Sequence, residues 1–232
     1  MGGQGSPMML HIEPGTPVIS IDVECAATST GHNGRAVCSI GIVDEFCRPI
    51  DRILVKPADD KPVVSYLGPI TGVQREDANA NGISFEDALV RVRSHLRPNT
   101  VIIGQNVLKD MEWLNLVEGT DYAHLIDLTA LFRVWNVQRQ SWTNFSQDHV
   151  AKVWLSIHER QSHDALDDAM ISMSLLNAYR SIQHDPERLH YMQMSTLSAP
   201  RTVSYGAMHG SIEGCCLGNR KTCTCGEPFF IS

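Results

Sequence analysis

The sequence predicts an α/β domain built on a mixed β-sheet with helices on its faces. Two observations predict it. Three strand-like segments come first, at about 18–24, 37–43 and 50–55, joined by short links. Successive strands with short links form an antiparallel meander. After them, helical patterns alternate with short apolar strands, which must join the sheet by crossovers while the helices cover its faces.

The first strand carries the most information. Ile19, Ile21 and Val23 alternate with Ser20, Asp22 and Glu24, the period-2 pattern of a strand with two different faces. Asp22 and Glu24 point to the same face because they are two residues apart. Two carboxylates side by side at the end of an apolar strand repel each other, and a divalent cation with oxygen ligands relieves that repulsion. Two solvated acids at a strand end give the same short pattern, and the pair alone does not decide between these readings.

A turn-rich loop follows at 26–35, then the second strand with Cys38, Ile40 and Ile42 on one face, then the third, ending at Lys56-Pro57. The stretch 58–82 is irregular, with Pro, Gly and Asn. Within it, Tyr66 to Val73 is too apolar for a solvated loop and is expected to pack on the domain. Ser84-Phe85-Glu86-Asp87 reads as a capping box with Asp in place of Glu or Gln. Phe85, Ala88, Leu89, Val92 and Leu96 then make an amphipathic stripe that stops before Pro98.

Val101-Ile102-Ile103-Gly104 is wholly apolar, as a strand buried on both faces would be. A helix over about 107–117 follows, with Asp110 in its first turn. A strand at 124–128 leads to Asp127 and a helix through Trp135, and another helix covers 147–154. Ser162-His163 opens a long helix over 164–183, with Leu166, Met170, Met173 and Leu176 as its core stripe. The expected organisation is a flexible lead-in at 1–16, one domain at 17–184 and an irregular, Cys-containing tail at 185–232.

Composition narrows the function. The chain has 232 residues, 43% of them apolar and 19% charged, which suits a globular protein with a substantial core. A net charge of −7 disfavours a protein that coats nucleic acid non-specifically. An enzyme that grips a few nucleotides through bound metal stays open. No apolar run is long enough for a membrane span, and the start lacks the basic and apolar segments of a secretory signal. The expected place is intracellular, nuclear or cytoplasmic, with thiols reduced.

Acids recur at element ends: Asp22 and Glu24, then Asp110, then Asp168, five residues after His163. A helix start tolerates an acid for dipole reasons, so Asp110 and Asp168 each have an ordinary explanation taken singly. Asp164 and Asp167 fit that explanation. Taken in order, Asp22-x-Glu24, Gly104-Gln-Asn-Val-Leu-Lys-Asp110 and His163-Asp-Ala-Leu-Asp-Asp168 resemble the three motifs of the DEDDh 3′–5′ exonucleases, a group within the ribonuclease H-like superfamily. The resemblance spans about 18–179. The segment 66–73 followed by the Ser84 helix is similar to the eukaryotic RNA exonuclease branch, although an "SGI"-like turn there is Ile70-Thr71-Gly72-Val73 here. Many relatives have His after the second-motif Gly; this chain has Gln105.

The resemblance implies a ribonuclease H-like sheet whose acids converge at one end and hold two Mg²⁺ or Mn²⁺ ions, about 3.5–4 Å apart in such sites. It implies that Asp22 bridges both ions, that Glu24 and Asp168 serve the first, and that Asp110 supports the second through water. It implies His163 as general base, suited by an imidazole pKa near 6.5. It also implies that backbone N–H groups at Cys25 and Ala26 contact the terminal sugar of a single-stranded nucleic acid, RNA more than DNA. Trp142 and Phe145 are candidate base stackers, with core anchoring as the other reading. Lys109, Arg35 and Arg139 are candidate phosphate contacts, with solvated charge as the default.

Rival expectations are a DNA-directed exonuclease and a non-catalytic nucleic-acid-binding scaffold on the same fold; the complete set of acids and His163 favours catalysis. In the tail, Cys215, Cys216, Cys223 and Cys225 could hold a structural Zn²⁺. Their CC-x₆-C-x-C spacing lacks paired C-x₂₋₄-C knuckles, so reduced thiols or a tail that docks on a protein partner is the preferred expectation.

Overall fold

The structure is a computed structural model and describes residues 9–58, 62–158 and 163–229. The first half of the expected lead-in, part of the 58–82 stretch, Ser162 and the last three residues of the tail lie outside the described residues. The five-stranded sheet has the order β3-β2-β1-β4-β5. Its strands are β1 (Val18–Ala27), β2 (Arg35–Asp44), β3 (Pro49–Leu54), β4 (Val101–Gly104) and β5 (His124–Asp127). β1 pairs antiparallel with β2, and β2 with β3. β4 and β5 add in parallel on the other side of β1. This is the mixed, ribonuclease H-like sheet that the sequence predicts.

Both faces are covered. On one, Ile19, Ile21, Val23, Ile40, Ile42 and Ile102 pack with Ala88 and Val92 of α3 (Phe85–His95) and Met111 of α4 (Leu108–Trp113). On the other, Val18, Val43 and Ile103 pack with α5 (Leu128–Phe132), α6 (Gln147–Trp154), α7 (Ala165–Ile182) and α8 (Pro186–Ser198). The alternation along β1 therefore turns Ser20, Asp22 and Glu24 toward the α7 side.

Half of the capping box is formed: Ser84 Oγ accepts from the Asp87 N–H at 3.0 Å, but the Asp87 carboxylate accepts the Ser84 hydroxyl at 2.8 Å in place of the Ser84 N–H. The 66–73 segment packs as expected, with Tyr66, Leu67, Thr71 and Val73 buried. It contains a short helix, α1 (Gly68–Thr71), and α2 (Arg75–Asn81) follows, both read as irregular from sequence.

Three expectations need correction. The helix expected over about 107–117 stops at Trp113. The helix expected through Trp135 stops at Phe132, and β6 (Val134–Asn136) pairs with β7 (Ser141–Thr143) as a hairpin. Its cross-strand partners are Trp135 and Trp142, edge-to-face at 5.6 Å; such an aromatic pair favours the hairpin over a further helical turn. The tail is not irregular from 185. Asp185 caps α8, accepting from the Arg188 N–H, with Pro186 in the first turn. His149 and Trp154 of α6 donate to the Thr196 carbonyl and hydroxyl of α8 at 2.8 and 2.9 Å. Beyond it, α9 (Tyr205–His209) precedes a hairpin of β8 (Ser211–Ile212) and β9 (Cys215–Cys216). At the other end, Leu10 and Ile12 of the lead-in lie against the core, and the Leu10 N–H donates to Gln183.

Candidate active site

Three elements bring the acids together. The register of β1 with β4 ends at Ser20↔Ile103, so Asp22 and Glu24 project just past the carboxyl end of β4, where open α/β sheets place their sites. Asp22 stands opposite Gly41 of β2, and α7 crosses the sheet there. A Cβ on Gly41 would lie 2.3 Å from the Ala165 carbonyl carbon. Only glycine lets the helix start approach this closely. Asp168, in the first turn of α7, is thereby brought against β1. Oxygens of Asp22, Glu24 and Asp168 all lie within 4.8 Å of one another.

Asp110 arrives from the opposite face, on α4. It lies outside that 4.8 Å group, and its carboxylate accepts a hydrogen bond from the Val23 N–H of β1. Burial pushes the Asp110 carboxyl up to about 8, against the backbone hydrogen bonds that favour its charge, and Asp127 adds to the rise. A buried acid held at Val23, between Asp22 and Glu24 along the strand, fits a site built for a cation. The donor set is all oxygen, which suits Mg²⁺ or Mn²⁺ over softer metals.

His163 sits beside this cluster, about one-third exposed. Its Nδ1 is 3.0 Å from Asp168 Oδ2 and its Nε2 is 3.6 Å from Asp148 Oδ2. A carboxylate only accepts, so Nδ1 carries the hydrogen in the first contact. The His163 N–H donates to the Ile70 carbonyl at 2.8 Å. That bond gives the apolar 66–73 turn a purpose: it holds the residue just before α7. Thr71 Oγ1 donates to the Tyr66 carbonyl at 2.8 Å and stiffens the turn. At the helix start, Asp164 caps α7 by accepting from Leu166 and also pairs with Arg52.

The expected substrate contacts fare unevenly. Cys25 and Ala26 directly follow Glu24, where a bulge interrupts the β1–β2 register. A bulge re-aims backbone groups near a site. Burial raises the Cys25 thiol far above its ordinary range, which removes it as a nucleophile. Lys109 is exposed and pairs with Glu112 at 2.8 Å. Trp142 is 43% exposed on β7, with the Arg133 guanidinium 4.5 Å from its ring centre.

Phe145 is a correction. It is 4% exposed, stacked on His149 at 5.0 Å and covered by Arg201, so its ring anchors the core and offers no face to a base. Arg35 is another: its guanidinium donates to the carbonyls of Gly31, Gly34 and Cys216 and has a structural task. Arg139 is exposed in the β6–β7 turn.

Residues missed from sequence support the site from behind. Gln147 donates to the Asp168 carbonyl at 3.0 Å and to Ser172 Oγ at 2.9 Å. Gln105, singled out in the sequence without a role, donates to the Phe145 carbonyl at 3.1 Å. Asp148 faces His163 and could have been found from its place in the first turn of a predicted helix.

Comparison with known proteins bears on the same residues. A sequence model described as exonuclease (RNase_T) matches residues 19–176. Small RNA degrading nuclease 3 of Arabidopsis thaliana is 28% identical over 166 residues, 70% of this chain and 20% of that protein. RNA exonuclease 5 of Bos taurus is 24% identical over 186 residues, 78% of this chain and 22% of that protein. The chain thus spans about a fifth of the length of these curated relatives. Among solved structures, the Neurospora crassa Pan2 catalytic unit superposes with a TM-score of 0.64 at 17% identity, over 84% of this chain and 32% of that one. The Saccharomyces cerevisiae Pan2 module in complex with AAGGAA RNA gives 0.63 at 14% identity, over 84% and 34%.

Proposed function

The chain belongs to the exonuclease family whose model spans residues 19–176, and from that premise we propose that it is a 3′–5′ exoribonuclease acting on single-stranded RNA. The observation that carries the proposal is the meeting of Asp22, Glu24 and Asp168 within 4.8 Å, with His163 Nδ1 hydrogen-bonded to Asp168. A scaffold that merely binds nucleic acid has no need to gather three carboxylates against their mutual repulsion.

Asp22, Glu24 and Asp168, with Asp110 in support, would hold two Mg²⁺ or Mn²⁺ ions. When bound, such ions activate water and stabilise the leaving 3′ oxygen. The chain's own residues do the rest. His163 donates through Nδ1 to Asp168, which fixes its ring and leaves Nε2 as the basic nitrogen that takes the proton of the attacking water. Asp148, 3.6 Å from Nε2, favours the imidazolium formed in that step. The backbone at Cys25, beside the bulge after Glu24, would meet the terminal sugar, whereas the Ala26 N–H is taken by Cys38 Sγ. Trp142, partly exposed with Arg133 over its ring, would stack a base once that cation moves aside. Tyr66 to Val73 keeps His163 in place through the Ile70 carbonyl. The nuclease unit includes α8, because α6 and α8 share the Thr196 hydrogen bonds.

RNA is preferred here because RNA exonuclease 5 and small RNA degrading nuclease 3 are named for that substrate. Turnover on matched single-stranded RNA and DNA oligonucleotides tests this. Faster RNA turnover, with mononucleotides released from the 3′ end, is expected; clearly faster DNA turnover would overturn the substrate assignment.

A further inference from the structure

Away from the acids, four metal-ligating side chains converge where the tail meets the β1–β2 loop. His32 Nδ1 lies 3.1 Å from Cys225 Sγ and 3.6 Å from Cys223 Sγ. Cys223 Sγ is 3.5 Å from both Cys216 Sγ and Cys225 Sγ. All four ligand atoms lie within 4.8 Å of one another. We propose that His32, Cys216, Cys223 and Cys225 form a structural Zn²⁺ site that fastens the C-terminal tail to the β1–β2 loop.

The distances fit the metal. Zn²⁺ takes Zn–S bonds of about 2.3 Å and Zn–N bonds of about 2.0–2.1 Å in a tetrahedron. The edges of that tetrahedron are then about 3.8 Å between sulfurs and about 3.5 Å between sulfur and nitrogen. The observed edges of 3.1–3.6 Å differ by a few tenths of an ångström. A disulfide would require sulfurs about 2.05 Å apart, and all the tail cysteines are free thiols.

The surroundings point the same way. The Gly218 N–H donates to Cys216 Sγ at 3.4 Å. The Cys225 N–H bonds Cys223 Sγ, and the N–H groups of Glu227 and His32 bond Cys225 Sγ. Several amide donors aimed at sulfur are the environment of a metal-bound thiolate. The scaffold is held independently of the sulfurs. Arg35 ties Gly31, Gly34 and Cys216 through their carbonyls, the Cys216 N–H donates to the Thr30 carbonyl at 2.8 Å, and Phe229 stacks on the His32 ring at 4.2 Å.

The structure also explains why the cysteine spacing looked wrong for zinc. Neighbours on a strand face opposite sides, so only one of the Cys215-Cys216 pair can be a ligand. Cys215 is buried with Ala27, Leu67 and Ile212. The fourth ligand comes from the far end of the chain. A segment with so small an apolar cluster gains its fixed structure from a metal. The loop it fixes begins after Ala27, three residues beyond Glu24, so the zinc would hold the end of β1 that carries the acids.

The test is elemental analysis of the full chain, purified without chelator and dialysed against metal-free buffer. About one equivalent of zinc per chain is expected, along with the visible d–d absorption of a tetrahedral thiolate complex after Co²⁺ exchange. Asp22→Ala and Cys215→Ser should keep the zinc, whereas His32→Ala and Cys223→Ser should lose most of it. Less than a tenth of an equivalent in the native protein would overturn the proposal. So would full zinc in Cys223→Ser, or loss of zinc in Asp22→Ala, which would place the ion among the acids. A disulfide among these cysteines in the reduced preparation, seen by mass, would overturn it too. The native zinc content and the Co²⁺ spectrum stand even if a variant fails to fold.

Discussion

Gly41 lies directly beneath Ala165, so close that a Cβ at position 41 would meet the Ala165 carbonyl oxygen at 2.3 Å. The strand residue paired with Gly41 is Asp22. One missing side chain thus sets the distance between the first acid and the helix that carries the last.

Gly41→Ala should push α7 off the sheet. Overpacking costs roughly 1–3 kcal/mol, and each kcal/mol moves the midpoint of a domain this size by about 2–4 °C. Thermal unfolding should show a fall of several degrees, and Mn²⁺ titration a weaker site. An unchanged midpoint with unchanged Mn²⁺ binding would mean that the close approach does not position Asp168.

Asp22→Ala should abolish metal-dependent cleavage while keeping the fold. Without divalent metal the variant should melt at the same temperature or higher, because it loses a charge held near Glu24 and Asp168. Circular dichroism melts with chelator present check this; a large drop in the midpoint would assign Asp22 a structural role.

Asp110 predicts a pH dependence. Its folded carboxyl is raised from 3.8 to about 8, so the folded state holds this proton more tightly than the unfolded one. Its contribution to metal-free stability is complete below about pH 4 and is lost as pH rises toward 8. Asp110→Asn removes that loss. The variant should therefore be more stable than the native chain at pH 8 in chelator, by at least about 2 °C, with little difference at pH 4. Equal midpoints at both pH values would contradict the burial argument. Activity should fall in the same variant.

His163→Ala should lower the cleavage rate by about 10²–10⁴, the usual range for a general base. Calorimetric titration with Mn²⁺ should still detect binding, because the carboxylates remain. A near-native rate would remove His163 from the chemistry; loss of all Mn²⁺ heat would recast it as part of the metal site.

Much of this fold and site is legible in the sequence. The β1 alternation exposed Asp22 and Glu24 as neighbours on one face because strand geometry is local. The Ser84 cap was legible for the same reason. The α7 stripe was legible in half: Met173 and Leu176 are buried, whereas Leu166 and Met170 are only partly so and the core also takes Ala169, Leu175 and Tyr179. What escaped depends on contacts distant in sequence. Leu128, Leu131 and Phe132 run into Val134 and Trp135 without a break in apolar pattern, and only the Trp135–Trp142 pair across the hairpin separates helix from strand. Phe145 looked like a possible stacker because nothing local shows that Arg201 covers the ring that His149 backs. His32 stands 193 positions from Cys225, so no cysteine spacing could have named it. The Asp185-Pro186 start of α8, by contrast, was a readable cap that the many glycines and prolines of the tail obscured.

A 5′-labelled single-stranded RNA incubated with the native chain and Mg²⁺ or Mn²⁺, with and without chelator, beside Asp22→Ala, decides whether the acids cut RNA. A ladder shortening from the 3′ end, abolished by chelator and by the substitution, is expected. An uncut RNA, with a matched DNA also uncut, would contradict it and leave a nucleic-acid-binding scaffold; cleavage that survives Asp22→Ala would contradict the assignment of the site.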